Sequence, residues 1–243
     1  MAGVFDNGGY IGVAGEYDLG GLWTLDSTDN RVLRNNLALY LDAGNNNSYT
    51  GTGTTWFDLS GNNRNATING APTFTSPYFS GFSDTIYFSL SNAGLVPRTN
   101  DFTYSCWVWF NAFDTLDTIF ENGSWTDTLL WRYENNTTLA LYAESALAGT
   151  TSWVAAANTW YFMTLVRSSG TVSTYINGSL VGTPFTMTTD INLANTNLFL
   201  MRSQHTTGQS INGRLSVFSI YSAALTVAQI NQNFNATRTR FGV

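Results

Sequence analysis

The 243-residue chain carries 16 acidic residues and 10 basic ones, all of them arginine, for a formal net charge of −6. Only 11% of residues are charged while 15% are aromatic and 43% hydrophobic. That balance excludes a disordered chain, which needs few aromatics and many charges, and it leaves no basic footprint for DNA or RNA.

Residues 1–36, MAGVFDNGGYIGVAGEYDLGGLWTLDSTDNRVLRNN, lack the basic and apolar regions of a signal peptide. The segment is rich in glycine, yet Phe5, Tyr10, Ile11, Tyr17, Leu22 and Trp23 make it too apolar for a solvated linker. Its apolar residues have no clear period and cannot build a separate core. Two readings follow: strands that complete the edge of a sheet, or an arm that lies on a neighbouring subunit. The organisation expected is an assembly arm over 1–36 and one folded domain over 37–243. No apolar run reaches the roughly 18 residues of a membrane span, so no membrane insertion is expected.

The loop TWFDLSGNNRNATI (Thr55 to Ile68) sets three asparagines between apolar ends. In the turn reading Trp56 and Leu59 pack inward, Asp58 and Ser60 bond nearby backbone amides, and Gly61 supplies the turn geometry. A calcium reading needs roughly six oxygens, but Asp58 is the one carboxylate between Asp42 and Asp84. The turn reading is preferred, and no metal or cofactor is expected.

FTYSCWVWF (Phe102 to Phe110) reads as a strand with large apolar groups of both parities, wanting cover on both faces. Within it Cys106, the single cysteine, excludes an intramolecular disulfide and reads as a buried structural thiol. Asp114, Asp117 and Glu121 form the densest acidic cluster. On an extended strand 117 and 121 share a face about 13 Å apart. Next comes ENGSWTDT (Glu121 to Thr128), where Trp125, flanked by Asn122 and Asp127, offers a ring for stacking on a sugar with polar groups for its hydroxyls. In the plainer alternative Trp125 folds back into the core; the other seven tryptophans read as core.

WYFMTLVR (Trp160 to Arg167) and TVSTYI (Thr171 to Ile176) are strands by their β-branched and aromatic content. Asn177-Gly178 then predicts a type I′ hairpin turn. His205, the single histidine, lies in SQHTTGQ and reads as a surface residue, so a Ser-His-Asp triad has one candidate base and no partner signature. LSVFSIY (Leu215 to Tyr221) is a second strand of both parities. In LTVAQINQNF, Thr226 and Gln229 predict a capping box, and Val227, Ile230 and Phe234 fall near one helical face. Short strands separated by Asn/Gly turns indicate an all-β antiparallel sandwich with one short C-terminal helix.

From about Leu37 to the C-terminus the chain resembles a laminin-G-like domain of the concanavalin A-like lectin/glucanase superfamily, in the version common in bacteriophage virion proteins. The resemblance rests on LYLDAGNNNSYTGTGTTWFDLSGN, FSGFSDTI, FTYSCWV, WYFMTLVRSSGTVSTYINGSLVG and INGRLSVFSIYSAALTVAQINQNFNA. Two departures are Ser222-Ala223, where the family often has Asn-Arg, and Gln229, where it often has Glu. The resemblance implies a jelly-roll sandwich and often carbohydrate binding. It also raises the question of hydrolysis, which in the related glucanases uses a Glu-x-Asp-x-x-Glu strand. The four glutamates here (Glu16, Glu121, Glu134, Glu144) are nowhere closer than ten residues, so the pattern is missing and no catalytic residues are assigned. The expected protein is a non-enzymatic virion structural protein, a capsid decoration or short fibre, displaying a lectin-like domain. Its expected partners are other virion subunits through residues 1–36, a homo-oligomeric copy of itself and a host-surface glycan held by Asn122, Trp125 and Asp127. The alternative is a bacterial carbohydrate-binding or adhesion module; the missing leader and the short chain from Met1 favour the virion.

Overall fold

Asn177 and Gly178 both take positive φ angles, 50° and 81°, which an Asn-Gly pair tolerates at little cost and which the type I′ turn demands. The turn joins two of sixteen strands in the computed structural model, which describes residues 31–95, 98–124, 127–191 and 197–243. In chain order these are β1 (Leu37–Asp42), β2 (Thr55–Trp56), β3 (Ala66–Asn69), β4 (Thr73–Thr75), β5 (Tyr78–Ser80), β6 (Tyr87–Ser91), β7 (Phe102–Phe110) and β8 (Leu116–Ser124). Then follow β9 (Asp127–Glu134), β10 (Thr138–Ala143), β11 (Ala146–Ser152), β12 (Thr159–Ser168), β13 (Thr171–Ile176), β14 (Ser179–Thr186), β15 (Asn197–Leu200), β16 (Gly213–Tyr221) and the helix α1 (Val227–Thr237).

Two antiparallel sheets result. One runs β14-β13-β12-β7-β16-β5-β4, with β1 also pairing β16; the other runs β11-β10-β9-β8-β15-β6-β3-β2. Apolar side chains from both sheets meet in the layer between them: Tyr104 of β7 stacks on Phe120 of β8 with ring centroids 4.6 Å apart. Cys106 is buried in this layer, and burial pushes its thiol pKa up, so it is an inert packing group.

The second parity of β7 and β16 is covered by α1. Trp107, Val217 and Tyr221 form another apolar cluster with Trp160, Phe162, Ile230, Phe234 and Phe241. The helix begins with the capping box expected: Thr226 Oγ1 accepts from Gln229 N, and Gln229 Oε1 accepts from Thr226 N. Its buried face is Ile230, Asn233, Phe234 and Thr237. Val227, expected on that face, is half exposed; it sits in the first turn, ahead of the residues that reach the sheet.

The W-x-D-L-S-G stretch proves to be a brace for β1. Trp56 is buried in the inter-sheet core. Asp58 Oδ1 accepts from the amides of Tyr40 and Ser60, and Oδ2 accepts from Ser60 Oγ and Arg64 N, all between 2.7 and 3.0 Å. Four donors occupy this carboxylate, so the turn reading accounts for it.

Residues 1–30 lie outside the described residues, and with them most of the expected arm. Residues 31–36 differ from that expectation because they are fastened to the sandwich. Leu33 N donates to Asn233 Oδ1 at 2.8 Å, and Leu33 O accepts from Tyr221 Oη at 3.0 Å. Asn36 O accepts from Ser222 N, and Val32 and Leu33 pack against the helix-side cluster. These partners tie residues 31–36 to the sandwich.

Candidate functional site

The expected sugar site falls at the tip of the β8–β9 hairpin. Trp125 lies outside the described residues, and so does the side chain of Asp127, whose backbone pairs with Ser124. Asn122 is a correction. It is fully buried, with Nδ2 donating to Tyr104 Oη at 3.3 Å in the inter-sheet core. Strand alternation explains this: Asn122 shares its face with Phe120, two residues earlier, which stacks on the same tyrosine. It cannot hold a surface sugar.

The acidic cluster is also rearranged. The β8–β9 register shifts between Thr118 and Phe120, an extra residue in β8. Asp117 therefore lies opposite the core residue Tyr133, whereas Glu121 lies opposite Leu130 on the other face. The shared face computed for a regular strand does not exist, because a bulge changes the parity of everything beyond it. Glu121 is buried and fully used: Oε2 accepts from Ser203 Oγ (2.8 Å) and Gln204 N (2.7 Å), and Oε1 faces His205 Nε2 at 3.2 Å. His205 is thus part of a clasp that holds the 203–206 loop on the outer side of this sheet. It lies at the surface, as expected, and is engaged there by Glu121.

Asp117 is buried at the start of β8. Its Oδ2 accepts from Asp114 N at 3.1 Å, and the Asn212 backbone amide also stabilises it. Burial raises its pKa from the ordinary carboxylate value to about 7; the nearby Asp114 charge adds to the rise, and the two amides oppose it.

In front of Asp117 lies a cleft of about 430 Å³ at one end of the sandwich, within the range of small-ligand sites. Three loops meet there: 81–84 between β5 and β6, 111–114 between β7 and β8, and 208–212 leading into β16. Asp84 ties the first to the third, its carboxylate accepting from Gly208 N at 3.0 Å and Ser210 Oγ at 3.5 Å. Thr118 N donates to Gln209 O, pinning the third loop to β8. Asn111 Nδ2 donates to Asn212 Oδ1 at 3.2 Å, and Trp109 Nε1 holds Asn111 Oδ1 at 2.9 Å. Phe82 contributes a half-buried ring and rests edge-on against Phe88. Gly213 closes the floor: a Cβ there would strike the Trp109 carbonyl, so only glycine lets β16 approach β7 this closely. The rim thus offers two carboxylates, two amides, hydroxyls and one aromatic ring.

Asp114 and Asp117 stand out in the sequence as members of the acidic cluster, whereas Asp84, Asn111, Asn212 and Phe82 carry no such signal. Asp84 stands in FSGFSDTI and Asn212 in INGRL, some 130 residues away. Both loops are short, polar and glycine-bearing, but only the sheet order brings them together. The candidate tip and the cleft are at opposite ends of β8, roughly 26 Å apart along an extended strand.

Two facing antiparallel sheets with a polar, aromatic-bearing cleft among the end loops define a lectin-type sandwich. Residues 82–231 match the model of a laminin G family described as the concanavalin A-like lectin/glucanases superfamily, more than half of the chain, and the chain belongs to that superfamily. It is similar in structure to the receptor-binding domain of a botulinum neurotoxin C/D mosaic serotype (TM-score 0.67, 16% identity, 84% of this chain and 52% of that one). It is also similar to the binding domain of botulinum neurotoxin DC in complex with SialylT (0.65, 19%, 84% and 52%). A third likeness is to Trypanosoma rangeli sialidase in complex with sialic acid (0.63, 12%, 84% and 33%). The chain spans about half the length of the toxin domains and a third of the sialidase, and at these identities the likeness shows the fold alone. No curated protein sequence matches the chain.

Proposed function

We propose that this chain is a non-enzymatic, glycan-binding sandwich displayed on the outside of a virion and attached there through its N-terminal segment. The cleft carries the glycan reading: carboxylates and amides suit sugar hydroxyls, and the Phe82 ring suits a sugar face. The similar structures, a receptor-binding domain, a complex with SialylT and a complex with sialic acid, agree with a sugar ligand in kind. The non-enzymatic reading rests on the strand geometry. Retaining hydrolysis needs two carboxyl groups about 5–5.5 Å apart around one bond, whereas Asp117 and Glu121 lie on opposite faces and Glu121 is saturated. The virion reading rests on the resemblance to phage modules and on the apolar residues of the N-terminal segment.

The cleft is tested by replacing Asp114 and Asn212, both exposed, with alanine together. Glycan-array binding of the full chain should fall at least tenfold, about 1.4 kcal/mol, while the melting temperature moves by no more than about 2 °C, as expected for surface substitutions. The wild-type protein should release no new reducing ends from the same glycans. Undiminished binding by the double variant would remove the cleft as the site.

Attachment is tested by truncation at two points. Deleting 1–30 should spare the β spectrum and melting temperature but abolish incorporation into particles, scored by mass spectrometry of purified virions. Deleting 1–36 should in addition destabilise the domain, because it removes the Leu33 bonds to Asn233 and Tyr221. Full incorporation of the shorter deletion would defeat the arm reading.

A further inference from the structure

Resting on the glycan reading of the cleft, we infer that it selects uncharged or amino sugars and rejects sugars that carry a carboxylate. The binding wall is anionic: Asp84 and Asp114 line it, and the Asp117 carboxyl stands behind it, bonded to the amide of Asp114. Recognition of a sugar carboxylate calls for an opposing cation, best an arginine fork, and no arginine is among the lining residues.

The two arginines nearest in sequence to the cleft loops are not among its lining residues, and their guanidinium groups are already bonded or stacked. Arg202 donates to three backbone carbonyls, those of Ser203, Asp84 and Gln204, and its guanidinium lies over the Tyr87 ring. Arg214 is held between Tyr78 and Trp109, with its guanidinium carbon 4.7 and 4.6 Å from the two ring centroids. An acidic sugar entering the cleft would therefore meet two carboxylates and shed water without gaining a cationic partner. A hydroxyl or ammonium group, by contrast, donates to those same oxygens. The sialylated ligands named for the similar toxin domain and sialidase would thus be the wrong class for this cleft.

Biolayer interferometry with the full chain decides this, using immobilised N-acetyllactosamine, the same glycan bearing a terminal sialic acid, and a glucosamine-terminated glycan, at pH 7.5 and low salt. The uncharged and amino glycans should bind at least tenfold more tightly than the sialylated one. Asp114→Asn should narrow that ratio by threefold or more, and so should raising the salt, since both weaken like-charge repulsion. Equal or tighter binding of the sialylated glycan would overturn the inference while leaving the glycan reading intact. Silence of all three probes and of a broad array would overturn the glycan reading and the inference together.

Discussion

Trp107→Ala is expected to destabilise the domain by about 3–5 kcal/mol, the range for emptying a buried aromatic site, and to loosen α1 from its sheet. Trp107 has no solvent exposure and stands on the helix-facing side of β7. Its ring stacks on Phe241 at 4.2 Å and on Phe234 at 5.7 Å, and Phe162 lies 5.4 Å away. Its Nε1 donates to Thr237 Oγ1 at 2.7 Å, and that hydroxyl in turn donates to Asn233 O. The substitution therefore opens a cavity and strips a buried hydroxyl of its donor, two costs that add. Urea unfolding should show the loss, and amide exchange across 227–240 should quicken first. Because the cleft is built by other loops, ligand binding below the melting transition should persist. An unchanged denaturation midpoint would mean that α1 is not held through this contact.

Asp117→Asn is expected to stabilise the protein by an amount that grows as pH rises from about 4 and levels off above about 7. The folded carboxyl has its pKa raised to about 7, first by burial, whereas the unfolded group titrates near its ordinary 3.8. Between those values the folded protein keeps a proton that the unfolded chain has released. Wild-type stability therefore falls as pH rises across that window and levels off above about 7. Asparagine keeps an acceptor for the Asp114 amide and carries no charge to bury. The gain should be small near pH 4 and reach roughly 2–4 kcal/mol at pH 8. Denaturation midpoints of both proteins at the two pH values measure it; a difference independent of pH would show that Asp117 is not buried as an acid.

The elements that could be read from sequence are those whose cause is local. β7 and β13 begin and end where their residue types change, at Phe102 and Phe110 and at Thr171 and Ile176. The Asn177-Gly178 turn and the Thr226/Gln229 cap each need only neighbours within a few residues. Apolar side chains of both parities in β7 also foretold cover on two faces, although not that a helix supplies the second cover. What failed was arithmetic across an irregularity. Counting by twos from Asp117 to Glu121 assumes a regular strand, and the residue inserted between Thr118 and Phe120 reverses the answer. Asn122 failed for the related reason that a polar residue near a hairpin tip reads as exposed, while alternation turns it toward Tyr104.

The sequence by itself determined the all-β class, the capped helix, the inert thiol and the W-x-D-L-S-G brace, because each follows from propensity, period or short-range hydrogen bonding. The tertiary structure alone brought the cleft residues together. Asp84, Asn111 and Asn212 come from three loops of the chain and meet only where the strand order sets β5, β7 and β16 side by side. It also decided that Glu121 pairs with His205, 84 positions later, and that residues 31–36 belong to the folded unit through Asn233 and Tyr221. Such contacts depend on strand order and register, which no local pattern of residues encodes.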